Sequence, residues 1–476
     1  MYRNVAPVPA EPRTLECRMS ADVHTSGRAS AVVLLSILAP GVNVFITATI
    51  LPTVVAEIGG LALYAWVTIA YSVTSIVGSA ASSAAARTLG LRAALCVAAA
   101  TFMAGTAVCG AAPSMAIIVL GRAVQGAGGG MIIGITHALV RALFPAHRWS
   151  RMLATISAAW GISALTGPAI GGMLAAAGLW RAGFWAALVL AAIPLALGWD
   201  LLPPRPDAGG ARPRLPLLRL ALLCGAVLAL ALIGNQHGVA PRAALLTIAA
   251  VAVERALALD RRAPHRLFPS NMLSLRQPLG RCFWMIFLIA MSVSPIGMYL
   301  SLFLQVIHNA SPAVAGYVFA GHSLAWTVAA IASSHVPLTR IRVVLAGGPV
   351  LLASGLATLA CTIAPGPTAV VAIAIVLEGS GIGLCWAHIG NRVLEVARKG
   401  EEEATASLIP TTQLFAVAFG GALAAIVAAG VGLTRDATPP IASAAGQALY
   451  GTFAVLPLGA AMIAWLLGAP RAAGRA

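Results

Sequence analysis

Charge is scarce in this chain. Only 14 of its 476 residues are acidic, 9% are charged, and Lys399 is its one lysine. A soluble protein carries roughly 25% charged residues, so the composition excludes a chain that keeps its surface in water. Gly400 follows the single lysine. No Gly-Lys-Ser/Thr loop can therefore cradle phosphates, and ATP hydrolysis by that route is excluded. No HExxH occurs, and no GxSxG sits in a strand-turn-helix setting. Seven cysteines lack CxxC spacing and read as small apolar residues, not a disulfide frame. Strand-like alternation is missing too, which excludes a barrel. The expectation is a chain that is not an enzyme, holds no metal and needs no cofactor.

What the chain has is apolar length. It is 59% hydrophobic with a mean hydropathy of +0.91, and runs of about 20 apolar residues, long enough to cross a bilayer, recur throughout. Fourteen spans are predicted, near 30–52, 62–84, 91–111, 115–138, 150–176, 180–202, 216–234, 241–259, 281–306, 313–335, 341–363, 368–391, 404–431 and 446–468. The fold class expected is an all-α polytopic membrane protein. The net charge of +16 is explained by topology: twenty-six of the 30 Lys and Arg fall at the two termini or in even-to-odd loops. The positive-inside rule then sets both termini in the cytoplasm. Anionic lipid is a fitting contact for that charge, and nucleic acid is not an expected partner. Residues 1–28 have no apolar core and do not read as a cleavable signal, so the first span serves as the insertion signal.

The two longest cytoplasmic stretches, Pro203–Leu215 and Asp260–Gly280, flank the 216–259 pair. The organisation expected is a cytoplasmic tail (1–29), a six-helix bundle (30–202), a linker with an inserted helix pair (203–280), a second six-helix bundle (281–468) and a cytoplasmic tail (469–476). A short internal repeat agrees with it. LRAAL at 91 matches IRVVL at 341, and QGAGGGM at 125 matches EGSGIGL at 378. Such repeats are common in transporters whose site lies between two halves.

Span five carries TGPAIGGM, Thr166–Met173, although Gly and Pro cost about 1 and 3 kcal/mol in a soluble helix interior. Gly161, Ala164, Pro168, Gly171 and Ala175 fall at helical steps of one stripe, and Gly167 and Gly171 form a GxxxG. Span four repeats the pattern with Gly126, Gly130 and Gly134. Small residues let helices approach closely in a membrane. The alternatives are plain tight packing or a smooth surface on which helices slide.

These segments resemble the major facilitator superfamily. LGRAVQGAGGGM (120–131) is similar to its fourth-helix arginine motif, and GISALTGPAIGGML (161–174), which includes Gly172, to its fifth-helix antiporter motif. NVFITATILP, AWVTIAY, LWRAGFW, LALDRRAPHRLFPSNML and YLSLFLQVI resemble the fourteen-helix drug:proton antiporter branch in the expected order. The resemblance implies two six-helix bundles, an inserted pair, and export of a small amphipathic compound against proton entry. Two departures stand out. SSAAARTLGLR keeps Gly90 and Arg92 of the cytoplasmic gating loop but has Ser83 and Arg87 where the family has Gly and Asp, and Asn43 replaces the first-helix Asp. Asn43 cannot carry a proton.

Three residues are candidates for proton coupling. Arg122 is the one arginine deep in a span; the resemblance implies proton transfer, whereas a structural role would fix helix packing through backbone carbonyls. Glu378 is the one acid deep in a span, and low dielectric favours its neutral form, so it suits proton uptake and release. His388 shares its helical face and is the expected relay; the alternative is a neutral Glu378 capping a glycine-rich turn. Asn43, Tyr71, Gln125, Gln305, His322, Trp326, Trp386 and Gln413 are candidate cavity residues, with interhelical bonding or interface anchoring as the alternative. The function expected is secondary efflux of drugs or toxic metabolites by proton antiport, driven by the proton motive force. The chain is expected as a monomer in a bacterial inner membrane. Export of one specific metabolite, a carrier not coupled to protons, and a non-transporting sensor or scaffold are the alternatives.

Overall fold

A computed structural model describes residues 12–145, 148–202, 216–236, 238–263, 271–364, 366–397 and 402–467, with side chains from residue 27 onward apart from a few within helices. Residues 1–11 of the expected N-terminal tail, the whole expected C-terminal tail, the Pro203–Leu215 linker, Lys399 and Glu401 lie outside the described residues.

Fifteen α-helices make up the described chain, and no strand occurs among the described residues. They are α1 (Pro12–Ile58), α2 (Tyr64–Leu89), α3 (Leu91–Gly110), α4 (Met115–Leu143), α5 (Trp149–Ala176), α6 (Trp180–Gly198), α7 (Leu217–Ile233), α8 (Val239–Arg262), α9 (Pro278–Ser292), α10 (Ser294–His308), α11 (Pro312–Ser333), α12 (Ile341–Thr362), α13 (Thr368–Val396), α14 (Glu402–Gly430) and α15 (Pro439–Leu466). Twelve spans are long and apolar enough to cross a membrane, and α9 and α10 together form one of them, Pro278–His308. Counting the α7–α8 hairpin as two further crossings gives fourteen among the described residues, so the start of α1 and the end of α15 lie at one end of the bundle, here the terminal end; the other is the distal end.

The structure breaks the span expected as continuous over 281–306. Helix α9 stops at Ser292 and α10 restarts at Ser294, with Pro295 in its first turn. Proline has no N–H to continue the ladder and crowds the carbonyl four residues before it. The first span begins at Gly27, close to the expected residue 30, and α1 extends beyond it to Pro12. At the distal end Gly59 and Gly60, with φ of 71° and 82°, turn the chain from α1 toward α2. Their left-handed conformation is cheap only for glycine.

Packing within α1–α6 pairs α2 and α3 with α4, and α1 with α5 and α6; within α9–α15, α13 packs on α11 and α12, and α15 on α12 and α9. Ion pairs staple α1 to α6 at both ends. Arg28 bonds Asp200 at 2.7 Å at the terminal end, and Glu57 accepts from Trp180 and Arg181 at the distal end. The α7–α8 hairpin is closed by a buried Arg219–Asp260 pair and rests on α14 and α2. Large apolar side chains such as Leu120, Val189, Ile331 and Met462 face outward, as expected of a surface in contact with lipid.

The helix glycines make the internal repeat physical. A Cβ on Gly128 would lie 2.3 Å from the Phe102 amide nitrogen, and one on Gly381 would lie 2.4 Å from that of Leu352. Gly130 and Gly383 stand in the same relation to the carbonyls of Ser75 and Trp326, at 2.0 and 2.2 Å. Each half thus uses the same backbone-to-backbone approach at corresponding positions, as expected where small residues line helix interfaces.

The small-residue pattern of α5 divides between two neighbours and does not form one sliding stripe. Gly167 and Gly171 lie against Phe45 and Ile46 of α1, whereas Gly172 and Pro168 lie against Ala313 and Gly316 of α11. The helix rotates only 100° per residue, so adjacent positions serve different partners. The α5–α11 contact is a seam between the halves. A Cβ on Gly316 would meet the Pro168 carbonyl at 2.3 Å, near the distal end, but one on Gly161 would reach only Thr327, at 3.7 Å, toward the terminal end. The cores agree. One apolar cluster joins Val42–Val54 of α1 to the whole second half, while Ala29–Ala39 belong to a separate cluster confined to the first half. The halves are fused distally and separate toward the terminal end.

Candidate functional site

The first half holds one buried cation. Arg122, 2% exposed, sits on α4 seven residues in from Met115. Its Nη1 donates to Asn43 Oδ1 at 2.8 Å and to Gln125 Oε1, and its Nε donates to the Val67 carbonyl at 3.2 Å. Gln125 in turn donates to Thr106 at 2.7 Å, and the Thr106 hydroxyl to the Phe102 carbonyl at 2.6 Å. The guanidinium lies 4.1 Å from the centroid of the Tyr71 ring, close enough for a cation–π contact. Among the described residues no carboxylate bonds to it. Four helices therefore meet at Arg122, with neutral oxygens and one ring compensating its charge.

Among its described side chains the second half holds one buried acid. Glu378 on α13 is fully buried; its Oε2 is hydrogen-bonded to His322 Nδ1 on α11, and its Oε1 has no partner. A Cβ on Gly379 would lie 2.3 Å from the His322 carbonyl, just as one on Gly126 would lie 2.3 Å from the Tyr71 carbonyl. Gln125 and Tyr71 of the first half thus correspond to Glu378 and His322 of the second. The two polar centres occupy equivalent places in the two repeats.

His322 also belongs to a line of rings. Phe45 contacts Phe319 across the seam at 5.8 Å between centroids. Phe319 is 6.5 Å from His322, His322 is 6.0 Å from Trp326, and Trp326 is 5.9 Å from Trp386. Because α11 runs from the distal to the terminal end, this line descends toward the side on which the halves separate.

Of the residues singled out from sequence, Asn43, Tyr71, Gln125 and Arg122 come together in one cluster, and Glu378, His322, Trp326 and Trp386 in another. His388 does not meet Glu378; it is bonded through Nε2 to the Ser333 carbonyl at 3.1 Å. Gln305 is half-buried with its amide nitrogen unpartnered, and half-buried Gln413 joins neither cluster. Arg92 anchors α3 to the end of α6, donating to the Leu202 carbonyl at 3.0 Å and lying over Trp199. Gly90 turns the chain between α2 and α3 with φ of 83°, and Arg87 is exposed with no ion pair among the described residues. Sequence reasoning passed over Thr106, Phe45, Phe319 and the partnership of His322 with Glu378. Extending the 125/378 repeat alignment to α2 and α11 pairs Tyr71 with His322 and would have found the last.

Residues 33–421 match the Major Facilitator Superfamily. The chain belongs to that family, one of membrane transporters and not of enzymes. Two strains of Mycobacterium tuberculosis carry a relative described as a probable multidrug-efflux transporter, 34% identical over 87% of this chain and 88% of its own length. Multidrug resistance protein 3 of Bacillus subtilis is 30% identical over 31% of this chain and 29% of its own length. Among solved structures, the xylose transporter of E. coli in a partially occluded inward-open conformation superposes with a TM-score of 0.61 at 14% identity, over 94% of this chain and 99% of that one. The human organic anion transporter MFSD10 gives 0.61 at 17% identity, over 92% and 99%. At such identities these structures speak to the fold alone.

Proposed function

We propose that this chain exports small amphipathic compounds from a bacterial cell by proton antiport, with residues 30–202 and 281–468 as the two bodies that rock about a central cavity. The proton motive force is its energy source, and it acts as a monomer in the plasma membrane. The excess of Lys and Arg at the terminal end supports a cytoplasmic location for both termini. The conformation described above is then the one open to the cytoplasm, with Phe319, His322, Trp326 and Trp386 offering rings to an entering substrate. Efflux is supported by the Mycobacterium tuberculosis relative.

One observation carries the coupling: the fully buried Glu378 carboxyl shares one oxygen with His322 and leaves the other unpartnered. An ionisable group inside a membrane is costly and is tied to function by default, and an imidazole hydrogen-bonded to the carboxyl can share the proton that the carboxyl takes up or gives away. Glu378 is the proton carrier in this proposal and His322 its partner; His388 holds α13 to α11. Arg122 keeps the first half polar and pre-arranged, and Asn43 and Gln125 orient it.

The decisive test uses purified protein in liposomes containing a pH-sensitive dye, with a panel of cationic dyes and antibiotics. Substrate-driven proton movement in wild type and its loss in Glu378→Gln support the proposal. Equal substrate movement in both variants refutes Glu378 as the carrier. Asn43 favours a second assignment, export of one specific metabolite or a carrier not driven by protons, because a first-helix acid is missing. The uncoupled carrier predicts substrate movement indifferent to the proton gradient.

A further inference from the structure

Helix α8 is held on one side only. It packs on α7 and on no other helix to a comparable extent, and Ala249, Ala256 and Asp260 are its only buried residues. Near the distal end the hairpin meets α14 closely: a Cβ on Gly234, at the end of α7, would lie 3.1 Å from the Ala425 carbonyl. Toward the terminal end α8 stands away from α14 and leaves a groove of about 520 Å³, or about 930 Å³ counted out to its open side. Leu246, Ala250, Val253 and Leu257 of α8 line it at steps of 4, 3 and 4, with Leu230 of α7 and Phe419 of α14 completing the walls. Helices present a face of this spacing to a neighbour, and among the described residues no helix covers this one. The unmatched charges lie at one end. Arg261, in the last turn of α8, lines the mouth of the groove and Arg262 follows it. Neither has an ion pair among the described residues, whereas Glu254 on the groove wall is matched by Arg255 at 3.5 Å and Asp260 by Arg219.

The dimensions select the occupant. The face from Leu246 to Arg261 is about 22 Å long at ~1.5 Å per residue, the thickness of one leaflet with its headgroups, which is half of about 40–45 Å. Spread over that length, even 930 Å³ is a section of about 42 Å², whereas a helix with side chains, about 10 Å across, takes roughly 80 Å². A helix of a second copy or of another protein is too thick, and an extended acyl chain is not. We propose that this groove binds an anionic phospholipid of the leaflet at the terminal end, with one acyl chain along α8 and the headgroup phosphate on Arg261 and Arg262. The guanidinium fork matches phosphate oxygens, and cations placed at a membrane surface draw anionic lipid. The lipid then fills the space between α8 and α14 and ties the hairpin to the second half. Because α7 touches α2 as well as α14, and α2 packs on α14, the anchored hairpin braces a contact between the two halves.

The test uses the whole protein, purified in detergent and stripped of lipid, with phosphatidylglycerol and phosphatidylcholine of identical chains as probes. Native mass spectrometry counts the bound lipid, and thermal unfolding reads its effect on the fold. Phosphatidylglycerol is retained about tenfold or more over phosphatidylcholine and raises the melting temperature as its concentration rises. Arg261→Gln together with Arg262→Gln, both at exposed positions, lowers that retention to the phosphatidylcholine level. Ala250→Phe together with Ala258→Phe fills the groove and removes the preferred lipid while the protein stays folded. A photoactivatable group on the acyl chain of phosphatidylglycerol marks residues between 246 and 258 in wild type and not in the filled variant. Equal retention of the two lipids by wild type, or retention that either double variant leaves unchanged, overturns the site. A dimer that dissociates when the groove is filled also overturns it, because the face then belongs to a second copy.

Discussion

His322 Nδ1 and Glu378 Oε2 are hydrogen-bonded at a place in the second repeat that corresponds to Tyr71 and Gln125 in the first. One repeat therefore carries an ionisable pair where the other carries a neutral amide and a phenol. The neighbouring positions are also inverted: Arg122 of the first half is matched by apolar Ile375 one turn before Glu378. The two halves share a backbone plan and divide the charges between them, the cation on one side and the acid on the other.

That division makes Glu378 and His322 separable by mutation. Glu378→Gln keeps the shape and removes the exchangeable proton, so proton-coupled transport falls by ~tenfold or more while substrate binding changes little. His322→Gln leaves the carboxyl without its imidazole partner and should lower proton-coupled transport while substrate binding persists. Dye-monitored proton flux over a pH series, beside equilibrium binding of a fluorescent cation, checks both. Unchanged flux with Glu378→Gln refutes the pair as carrier.

Arg122 holds four helices together, and its removal strands acceptors on Asn43, Gln125 and Val67. Arg122→Ala should lower stability by about 1–3 kcal/mol, the penalty for leaving buried polar acceptors unpaired. Arg122→Lys should recover only part, because an ammonium cannot span the same fork of acceptors. Asn43→Asp supplies a charged acceptor at an existing bond and should stabilise the cluster by about 1 kcal/mol. Thermal unfolding in detergent measures all three, and a fully stable Arg122→Ala protein would refute the central role of the guanidinium.

Glycines within a half and across the seam should fail differently. Gly130→Ala puts a Cβ 2.0 Å from the Ser75 carbonyl inside the first half and should reduce the yield of folded protein. Gly316→Ala puts one 2.3 Å from the Pro168 carbonyl across the seam and should fold but rest with its distal end wedged open. Size-exclusion profiles beside external labelling of Glu378→Cys distinguish the two. Identical behaviour of both variants counts against a seam that moves.

Asp200 sits just past the end of α6, and the hydrogen bond from Arg28 holds its carboxyl below the usual carboxylate range. A depressed folded value means the bond contributes above the ordinary carboxylate pKa of about 4 and is lost as pH falls through the lower folded value. The pair is exposed and screened by salt, so the effect is small. Asp200→Asn should remove a shallow, salt-sensitive loss of stability on the acid side, seen in melting curves between neutral and strongly acid pH.

The helices and their order were legible because a bilayer demands long apolar runs, and these do not depend on who packs against whom. Arg122 itself was legible because a lone arginine in an apolar, glycine-rich span is conspicuous, but the gathering of Asn43, Tyr71 and Thr106 from three other helices is tertiary and was not. The α9–α10 break was missed because Pro295 lies in a run otherwise apolar enough to span, and hydropathy does not register a missing N–H. His388 was chosen as the partner of Glu378 because both lie on one helical face. Same-helix periodicity is visible in a sequence, but the arrival of His322 from α11 is a tertiary event. The stripe on α5 misled in a related way, since small residues at 3–4 spacing do not reveal that adjacent positions face two different helices.

The seam between the halves has a further property. Among the described residues its contacts are glycine, backbone, aliphatic and ring surfaces, and no side-chain hydrogen bond is seen to cross it. Parting such surfaces breaks no directional bond among the described residues, so the resistance to opening is the sum of many close van der Waals contacts, each worth little alone and lost steeply with the first ångström of separation.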